Sequence, residues 1–338
     1  MTPGWTTWDG DGLVPDDLVE LARRCRRADG GLPIADDPGF LRRRWTSSAG
    51  TRFGLRSPDG GLLAAAATCP TSGSVFVTGL VDPEARGQGL GSRLLDHALS
   101  LATDPPNRAG AAPTPPAGVG QAGVASAAQA GAVSAVQAGA VSAAPAGVAQ
   151  VASAGPAIIV ETESLTDAAH ALFVSRGLRQ VFAEDVMRVV PAAASPPRWP
   201  AGVGLTDWSA ATAERFYAVF EASFRDRPGF PGTPADEWIT ETEEDDEFRP
   251  DWSLLATIPG LGDAGFVVGG AGWIMQVGVR PEARRQGIGA ALVCESLSRM
   301  AAVGAAEAWL DVNVDNPGAA ALYRRLGFTH EGCRARYR

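Results

Sequence analysis

Two short glycine-rich segments have the composition and the position of phosphate-binding loops. They read RGQGLG at residues 86–91 and RRQGIG at residues 284–289, and each lies between an apolar strand and an amphipathic helix. At such a junction the backbone N–H groups and the helix dipole attract phosphate. Glycines such as Gly287 and Gly289 let the backbone approach a ligand without a Cβ in the way. A plain strand-to-helix turn is the alternative interpretation.

Two widespread phosphate motifs are missing from this sequence. It has no GxxxxGK[ST] segment, and neither loop contains GxGxxG with an acidic residue about 20 positions later. Both loops instead contain [QR]xxGxG, preceded by VDPEA in the first and VRPEA in the second. This pattern resembles the loop with which the GNAT superfamily of N-acetyltransferases binds the pyrophosphate of acetyl-CoA.

The resemblance implies an acetyl-CoA site in each half of the chain. In that family the strand before the loop separates from its neighbour and leaves backbone groups free to pair with the pantetheine arm. The C-terminal residues in these roles are Gln276, Val277, Gly278, Val279, Arg284, Arg285, Gln286, Gly287, Ile288, Gly289 and Ala290. Their N-terminal counterparts are Leu80, Val81, Asp82, Arg86, Gly87, Gln88, Gly89, Leu90 and Gly91.

A second motif, NPGAAALYRRLGF at residues 316–328, resembles the closing element of the same family. The resemblance implies that Asn316 contacts the cofactor and that Tyr323 lies near the thioester sulfur as a general acid. Attack of an amine on a thioester expels a thiolate, and a positioned phenol can protonate it. A buried core tyrosine is the alternative, since the hydroxyl needs a partner in either case.

The first half departs from this motif. Thr166 takes the place of Asn316, Phe173 that of Tyr323, and Leu178 that of Phe328. Phenylalanine cannot donate a proton, although the loop ARGQGLG is intact. We therefore expect this half to bind acyl-CoA without catalysis, to serve as a scaffold, or to catalyse slowly by proximity alone. One competent and one degenerate copy is an arrangement that resembles tandem members of the family.

The base that must accept the ammonium proton is not identified by the sequence. Asp311 is the candidate, and Asn313, Glu282 and water molecules are alternatives. Each of these three side chains can also be interpreted as a surface or loop group. No activated Cys or Ser arrangement indicates a covalent acyl-enzyme. The three histidines lack metal-ligand spacing, so no metal is predicted.

The loops belong to an internal repeat, which indicates duplication. VDPEARGQGLGSRLL at residues 81–95 recurs as VRPEARRQGIGAALV, 198 positions later. Residues 157–162 and 171–178 match residues 307–312 and 321–328, now 150 positions later. The difference of 48 residues corresponds to a tract of Ala, Gly, Val, Ser, Pro and Gln at about 105–156, which we predict to be a disordered insertion.

The repeat and the prolines divide the chain. We predict an N-terminal GNAT-like domain at 1–190 that does not catalyse, a proline-rich linker at 191–202, and a catalytic GNAT domain at 203–338. In each copy, strands followed by long helices predict an α/β fold with a mixed, centrally parallel, twisted sheet flanked by helices.

Composition narrows the class of protein. A chain of 338 residues with 45% hydrophobic content can bury two cores, and its net charge of -9 disfavours nucleic acid as a partner. The four cysteines are far apart and suit reduced thiols rather than disulfides or zinc. The apolar runs are rich in Ala and Gly, so we expect a cytoplasmic protein without a membrane span.

The leading hypothesis is an acetyl-CoA-dependent N-acetyltransferase that acts on an unidentified primary amine by direct attack on the thioester. The second hypothesis is a non-catalytic acyl-CoA-binding or regulatory protein, which the degenerate first half supports. The sequence leaves the acceptor amine, the acyl preference and the choice between monomer and homodimer open.

Overall fold

The structure is a computed structural model that describes residues 4–8, 14–45, 50–71, 73–103, 156–227, 230 and 232–338. Its contacts divide the chain into two compact units. The first unit contains the described residues of 1–119 and 149–185 together with residues 331–338, and the second contains residues 186–330. The predicted insertion at about 105–156 lies outside the described residues except at position 156.

The first unit combines an antiparallel meander with a parallel pair of strands. Its strands are β1 (Thr6–Thr7), β2 (Thr51–Arg56), β3 (Leu62–Pro70), β4 (Ser74–Val81) and β5 (Ala157–Thr162), with residues 180–185 of β6 (Gln180–Val189) and 331–337 of β12 (Thr329–Tyr337). Its helices are α1 (Asp16–Asp29), α2 (Pro38–Trp45), α3 (Leu90–Thr103) and α4 (Asp167–Ser175). Strands β1 to β4 pair antiparallel, and β4 pairs parallel with β5.

The second unit repeats this order. Its strands are β7 (Gly204–Asp207), β8 (Phe248–Ile258), β9 (Gly262–Gly270), β10 (Trp273–Val279) and β11 (Ala308–Asn313), with residues 186–189 of β6 and 329–330 of β12. Its helices are α5 (Ala213–Phe224), α6 (Ala235–Glu243), α7 (Ile288–Ala302) and α8 (Pro317–Arg325). Strands β7 to β10 pair antiparallel, and β10 pairs parallel with β11.

Apolar spacing explains how helices cover both faces of the strands in the second unit. Ile288 and Leu292 lie one turn apart on α7 and pack with Leu310 of β11 in one core cluster. On the other face, Phe220 of α5 and Trp238 of α6 stack in a separate aromatic cluster, with ring centroids 4.8 Å apart. A parallel strand pair needs both faces buried, and these helices supply that cover.

The last strand of the chain completes the first unit rather than the second. Strand β12 pairs antiparallel with β5, with Ala335 opposite Thr162 and Tyr337 opposite Val160. The sequence-based division placed residues 331–338 in the C-terminal domain, whereas their contacts place them in the first unit. Repeat matching could not detect this, because it compares residues and not strand partners.

Two smaller features concern the linker and membranes. The proline-rich stretch 191–202 contains one three-residue 3₁₀ turn (Pro191–Ala193) and is otherwise irregular up to a turn at residues 201–202. Across the part of the chain that the structure describes, no helix combines the length and the apolar character required to span a bilayer.

Candidate functional site

Both glycine-rich loops adopt a backbone conformation suited to anion binding. Positive φ angles occur at Gly87 (78°) and Gly89 (75°) in the first loop, and at Arg285 (67°) and Gly287 (85°) in the second. Nothing lies within 4 Å of a Cβ placed on Gly87, Gly89 or Gly287, so these positions face open space. Successive N–H groups in turns of this kind can form concave anion sites, and these turns lie at the N-termini of α3 and α7.

Arg285 has the one positive φ angle found at a non-glycine residue in the described chain. This conformation costs a side-chain-bearing residue roughly 1–2 kcal/mol. Gly87 occupies the matching position of the first loop without that strain. Strained backbone tends to persist where the surrounding structure holds a functional turn, so Arg285 marks the second loop as a constrained site.

The first arginine of each loop is held differently in the two units. Arg86 and Arg284 each donate from Nε to the carbonyl that ends the preceding strand, at 3.1 Å. In the first unit Asp29 also accepts two hydrogen bonds from Arg86, at 2.6 and 2.7 Å, and this pairing raises the arginine's pKa. The residue 198 positions after Asp29 is Arg227. The carboxylate that neutralises the first loop is therefore replaced by a cation in the second unit.

This difference predicts that Asp29 weakens phosphate binding by the first loop. In the Asp29→Asn variant the Arg86 guanidinium keeps its backbone anchor but loses its counter-charge. We expect the Kd of CoA at the first site to fall by about fivefold, which corresponds to about 1 kcal/mol for a partly exposed ion pair. Isothermal titration at low and high salt measures this, and the gain should shrink at high salt. An unchanged Kd at low salt would show that Arg86 does not meet the phosphates.

The strand before the second loop separates from its parallel neighbour, as the resemblance implies. Strand β10 pairs with β11 at Trp273 and Trp309, whereas its pairing with β9 continues to Val279. A register shift between Ile274 and Gln276 marks a β-bulge at this point. Backbone groups of residues 276–278 on the β11 side are therefore available to a ligand, whereas the Val279 carbonyl accepts from Arg284. In the first unit the parallel pairing ends at Thr78 and Glu161, before Leu80 and Val81.

Tyr323 lies on α8 with its ring in the core of the second unit. Its side chain is 7% exposed, and its ring packs against Phe328 with centroids 5.8 Å apart. Burial raises the pKa of the phenol to about 12, against a smaller opposing effect of the Arg227 charge. No described residue forms a hydrogen bond with its hydroxyl. The phenol is therefore neutral and has its proton available near neutral pH.

Several other predicted site residues have structural contacts. Asn316 caps α8 by accepting a hydrogen bond from the Ala319 N–H at 3.2 Å, and Thr166 caps α4 in the same way. Asp82 accepts hydrogen bonds from Arg24 and from the Glu84 N–H. Leu90 and Ile288 belong to the two cores. For these residues, cofactor contact stays a prediction and would involve mainly backbone groups.

Asp311 and its counterpart in the first unit differ in their surroundings. Leu310 and Val312 face the core that contains Tyr323, so the half-buried Asp311 between them faces the opposite side of the sheet. The matching residue of the first unit, Glu161, is buried and ion-paired with Arg44 and Arg336. Arg44 lies against Glu161 Oε2 and Arg336 against Oε1, so both carboxylate oxygens are engaged and poorly placed to meet a substrate amine.

The side chain of Gln276 is a feature that sequence reasoning missed. Its cross-strand partner Val268 packs in the aromatic cluster beneath α5 and α6, so Gln276 points to that face. It is 4% exposed, and its Oε1 atom accepts no hydrogen bond from the described residues. On the same face, Ser223 Oγ and Trp238 Nε1 are also buried without partners. An unsatisfied buried polar atom costs about 1–3 kcal/mol, so this face has unused hydrogen-bonding capacity.

A cavity of about 380 Å³ lies in the first unit. It begins at the loop around Gly89 and passes between Leu94 of α3 and Phe173 of α4. On the other face of the strands it is lined by Leu41 of α2 and by Glu161. The cavity thus lies on both faces where β4 and β5 separate, although the predicted acid, Tyr323, is in the second unit. Its volume is within the usual range for small-ligand sites.

Comparisons with known proteins agree with this fold and these loops. Residues 208–328 match the model of the Acetyltransferase (GNAT) family. A GCN5-related N-acetyltransferase structure from Sphaerobacter thermophilus superimposes with a TM-score of 0.65 at 22% identity, covering 98% of this chain and 94% of that one. A tandem GNAT protein from the clavulanic acid biosynthesis pathway superimposes with a TM-score of 0.56 at 15% identity, covering 99% and 97%. Residues 208–328 thus match the GNAT acetyltransferase family, and the whole chain has the predicted tandem fold.

Two mycothiol acetyltransferases are among the curated relatives of this chain. A mycothiol acetyltransferase of Clavibacter michiganensis is 26% identical over 325 residues, which cover 95% of this chain and 90% of that protein. Another, from a Nocardioides species, is 33% identical over 185 residues, covering 48% of this chain and 62% of its own. The prediction of an N-acetyltransferase is thereby confirmed.

Proposed function

We propose that the second unit transfers the acetyl group of acetyl-CoA to a primary amine by direct attack on the thioester. The observation that carries this proposal is that one unit combines an open anion-binding loop with a buried neutral tyrosine. The N–H groups at Gly287 and Gly289, with Arg284 and Arg285, would hold the pyrophosphate. Free backbone groups of residues 276–278 would pair with the pantetheine arm.

The chemistry then follows from the thioester. The amine nitrogen attacks the carbonyl carbon, the C–S bond breaks, and Tyr323 donates its proton to the departing sulfur. The ammonium proton leaves through a base or through water, and Asp311 is the candidate base. Its place on the sheet face opposite Tyr323 suits a group that approaches the thioester from the other side. Solvent returns the proton to Tyr323 after release of CoA.

The first unit would bind acyl-CoA without transferring the acyl group. Its loop has the open turns at Gly87 and Gly89, and its cavity reaches from that loop into the gap between β4 and β5. It has Phe173 in place of the acid and an ion-paired Glu161 in place of the candidate base. Under this assignment the hypothesis of a non-catalytic acyl-CoA-binding or regulatory role applies to the first unit alone.

The first acceptor to test is the amine that mycothiol acetyltransferases acetylate, because such a relative aligns with 95% of this chain. A second candidate is a peptide that begins with alanine. An acetyltransferase of the alanine of ribosomal protein bS18 from Escherichia coli is 36% identical over 64 residues, which is 19% of this chain. The short match makes the peptide the weaker candidate.

A mass-spectrometric transfer assay with acetyl-CoA and these two acceptors tests the proposal. The expected result is an acetylated mycothiol-type amine formed in equal amount to free CoA. Transfer to the peptide alone would replace the proposed acceptor while keeping the reaction. Tight binding of acetyl-CoA with no transfer to any amine would favour the non-catalytic alternative.

Gln276 supplies a prediction about the acceptor side. We expect the Gln276→Leu variant to raise the KM for the amine by about tenfold, because a substrate N–H would lose its acceptor, worth about 1–1.5 kcal/mol. The KM for acetyl-CoA should stay unchanged, since the backbone of β10 is intact. Initial-rate measurements with each substrate varied in turn separate the two constants.

The stability of the same variant distinguishes a substrate contact from a structural one. Removing a buried amide that has no partner should leave the free energy of unfolding equal or raise it. Urea unfolding measures that quantity. A lower stability together with an unchanged KM for the amine would mean that Gln276 serves packing alone.

A further inference from the structure

The cavity of the first unit reaches β3 and β4 at a place where their side chains are small. Ala66 and Gly79 lie directly opposite each other on these antiparallel strands, and both line the cavity. A Cβ placed on Gly79 would lie 3.3 Å from Leu94 Cδ2, so Leu94 already packs against this glycine. At this strand pair the cavity wall therefore consists of backbone and one methyl group.

The second unit fills the corresponding place. Val277 lies 198 positions after Gly79, and its cross-strand partner is Val267. Both valines pack in the core around Tyr323. Relative to this pair, the first unit lacks two side-chain carbons at Ala66 and three at Gly79.

The remaining walls of this part of the cavity are apolar. Their side chains do not make up for the carbons missing at Ala66 and Gly79. These walls are formed by Val77, Leu95, Ala98, Val160 and Phe173. Val160 is one carbon smaller than its counterpart Leu310, and Leu95 is one carbon larger than Val293. These two differences cancel, so the missing volume is concentrated at the Ala66–Gly79 pair.

We propose that the apolar part of this cavity, beside Ala66, holds the acyl chain of an acyl-CoA longer than acetyl, with about six carbons: the thioester carbon and roughly the five carbons that the second unit has in its side chains. The inference rests on the proposal that the first unit binds acyl-CoA. The loop at Gly87 and Gly89 would take the pyrophosphate, and the arm would pass where β4 leaves β5. Phe173 offers no proton, so the thioester would be retained. The first unit would thus act as a binding site for medium-chain acyl-CoA.

The test compares acetyl-CoA with hexanoyl-CoA by isothermal titration into the full chain and into its Arg284→Glu variant, in which the second loop is impaired. A fully buried methylene contributes roughly fourfold in affinity. We expect the site that remains in Arg284→Glu to bind hexanoyl-CoA at least tenfold more tightly than acetyl-CoA. Equal or weaker binding of hexanoyl-CoA would overturn the inference.

Two valine substitutions in β3 supply a matched pair. Ala66→Val should remove the preference for hexanoyl-CoA, because it restores the side chain present at Val267. Ala67→Val adds the same two carbons to the next residue, which faces α1 and α2 and does not line the cavity. This control should keep the preference. Loss of the preference in both variants would overturn the placement of the chain.

Failure of the inference can be told apart from failure of the proposed function. If the first site binds both thioesters equally, the acyl-CoA site stands and only the long-chain pocket is wrong. If the Arg284→Glu variant binds neither thioester while the unmodified chain binds acetyl-CoA once, the first unit is not an acyl-CoA site and both proposals for it are wrong. Because the unmodified chain and Arg284→Glu carry the native cavity, these outcomes do not depend on the folding of the valine variants.

Discussion

Replacement of Tyr323 by phenylalanine is expected to lower kcat for acetyl transfer by about 100-fold or more, the usual contribution of a positioned general acid. The Kd of acetyl-CoA should stay within about twofold, because the ring and its packing against Phe328 are retained. Only the proton source for the departing thiolate is lost. Steady-state kinetics and isothermal titration on the same preparation measure the two quantities.

The control is Tyr337→Phe, which makes the same change in the first unit. The Tyr337 hydroxyl is hydrogen-bonded to His170 at 2.6 Å and to Gln180 at 2.9 Å, so its loss should cost stability and leave kcat close to that of the unmodified enzyme. If Tyr323→Phe retains kcat within about threefold, the acid is another group or water, and Tyr323 is a core residue.

The raised pKa of Tyr323 also fixes the sign of its pH dependence. Since the folded-state pKa is about 12 and an exposed tyrosine titrates near 10, the native state holds this proton more tightly than the unfolded chain does. Its contribution to stability is therefore constant below about pH 10 and is lost between about pH 10 and 12. Any change of kcat with pH below pH 10 should therefore come from another group. The same change should be seen in the Tyr323→Phe variant.

The second large effect is expected at the loop of the second unit. Gly287→Glu should raise the KM for acetyl-CoA by about 100-fold, for two reasons. A side chain at φ 85° costs about 1–2 kcal/mol, and a carboxylate placed at the anion site repels the pyrophosphate. Because the position faces open space, the helix that follows should remain folded. Circular dichroism and initial-rate kinetics test the two parts.

The matched change is Gly89→Glu, 198 positions earlier and also at positive φ. This variant should abolish binding at the first loop and retain turnover at the second. If instead Gly89→Glu eliminates acetyl transfer and Gly287→Glu does not, the roles of the two units are the reverse of those proposed.

Much of the fold could be predicted because the sequence contains an internal repeat, so each element found in one copy supports the matching element in the other. The loop recurs at an offset of 198 residues and the motif around Tyr323 at an offset of 150, and the amphipathic helix indicated after the second loop is α7, Ile288–Ala302. Strand β8 begins at Phe248, five residues before the apolar run at residues 253–258 that indicates a strand, because Phe248 and Arg249 pair with the end of β9 across a register shift. A local pattern contains no information about such a shift.

The features of the site that were not predicted depend on residues far apart in the sequence. The pairing of Asp29 with Arg86 joins a helix end to a loop, and the ion pairs of Glu161 involve Arg44 and Arg336. Neither has a sequence signature, since charged residues on surface helices are common. The cavity was also unexpected. Its signal was present in the sequence as small residues at Ala66 and Gly79 where the other copy has valines, but the pairing of strands was needed to recognise it.

The pairing of β12 with β5 has a consequence for synthesis on the ribosome. Translation adds about 5–20 residues per second, so Thr162 emerges roughly 9 to 35 s before its partner Ala335. During that time the β5 edge of the nascent first unit has no strand beside it, and an open edge can pair with other chains. In the same interval most strands of the second unit are synthesised and can pair with one another. The two units therefore could not be produced as separate proteins by dividing the gene at the linker. The N-terminal product would lack residues 331–337 of β12, which the second half of the gene encodes.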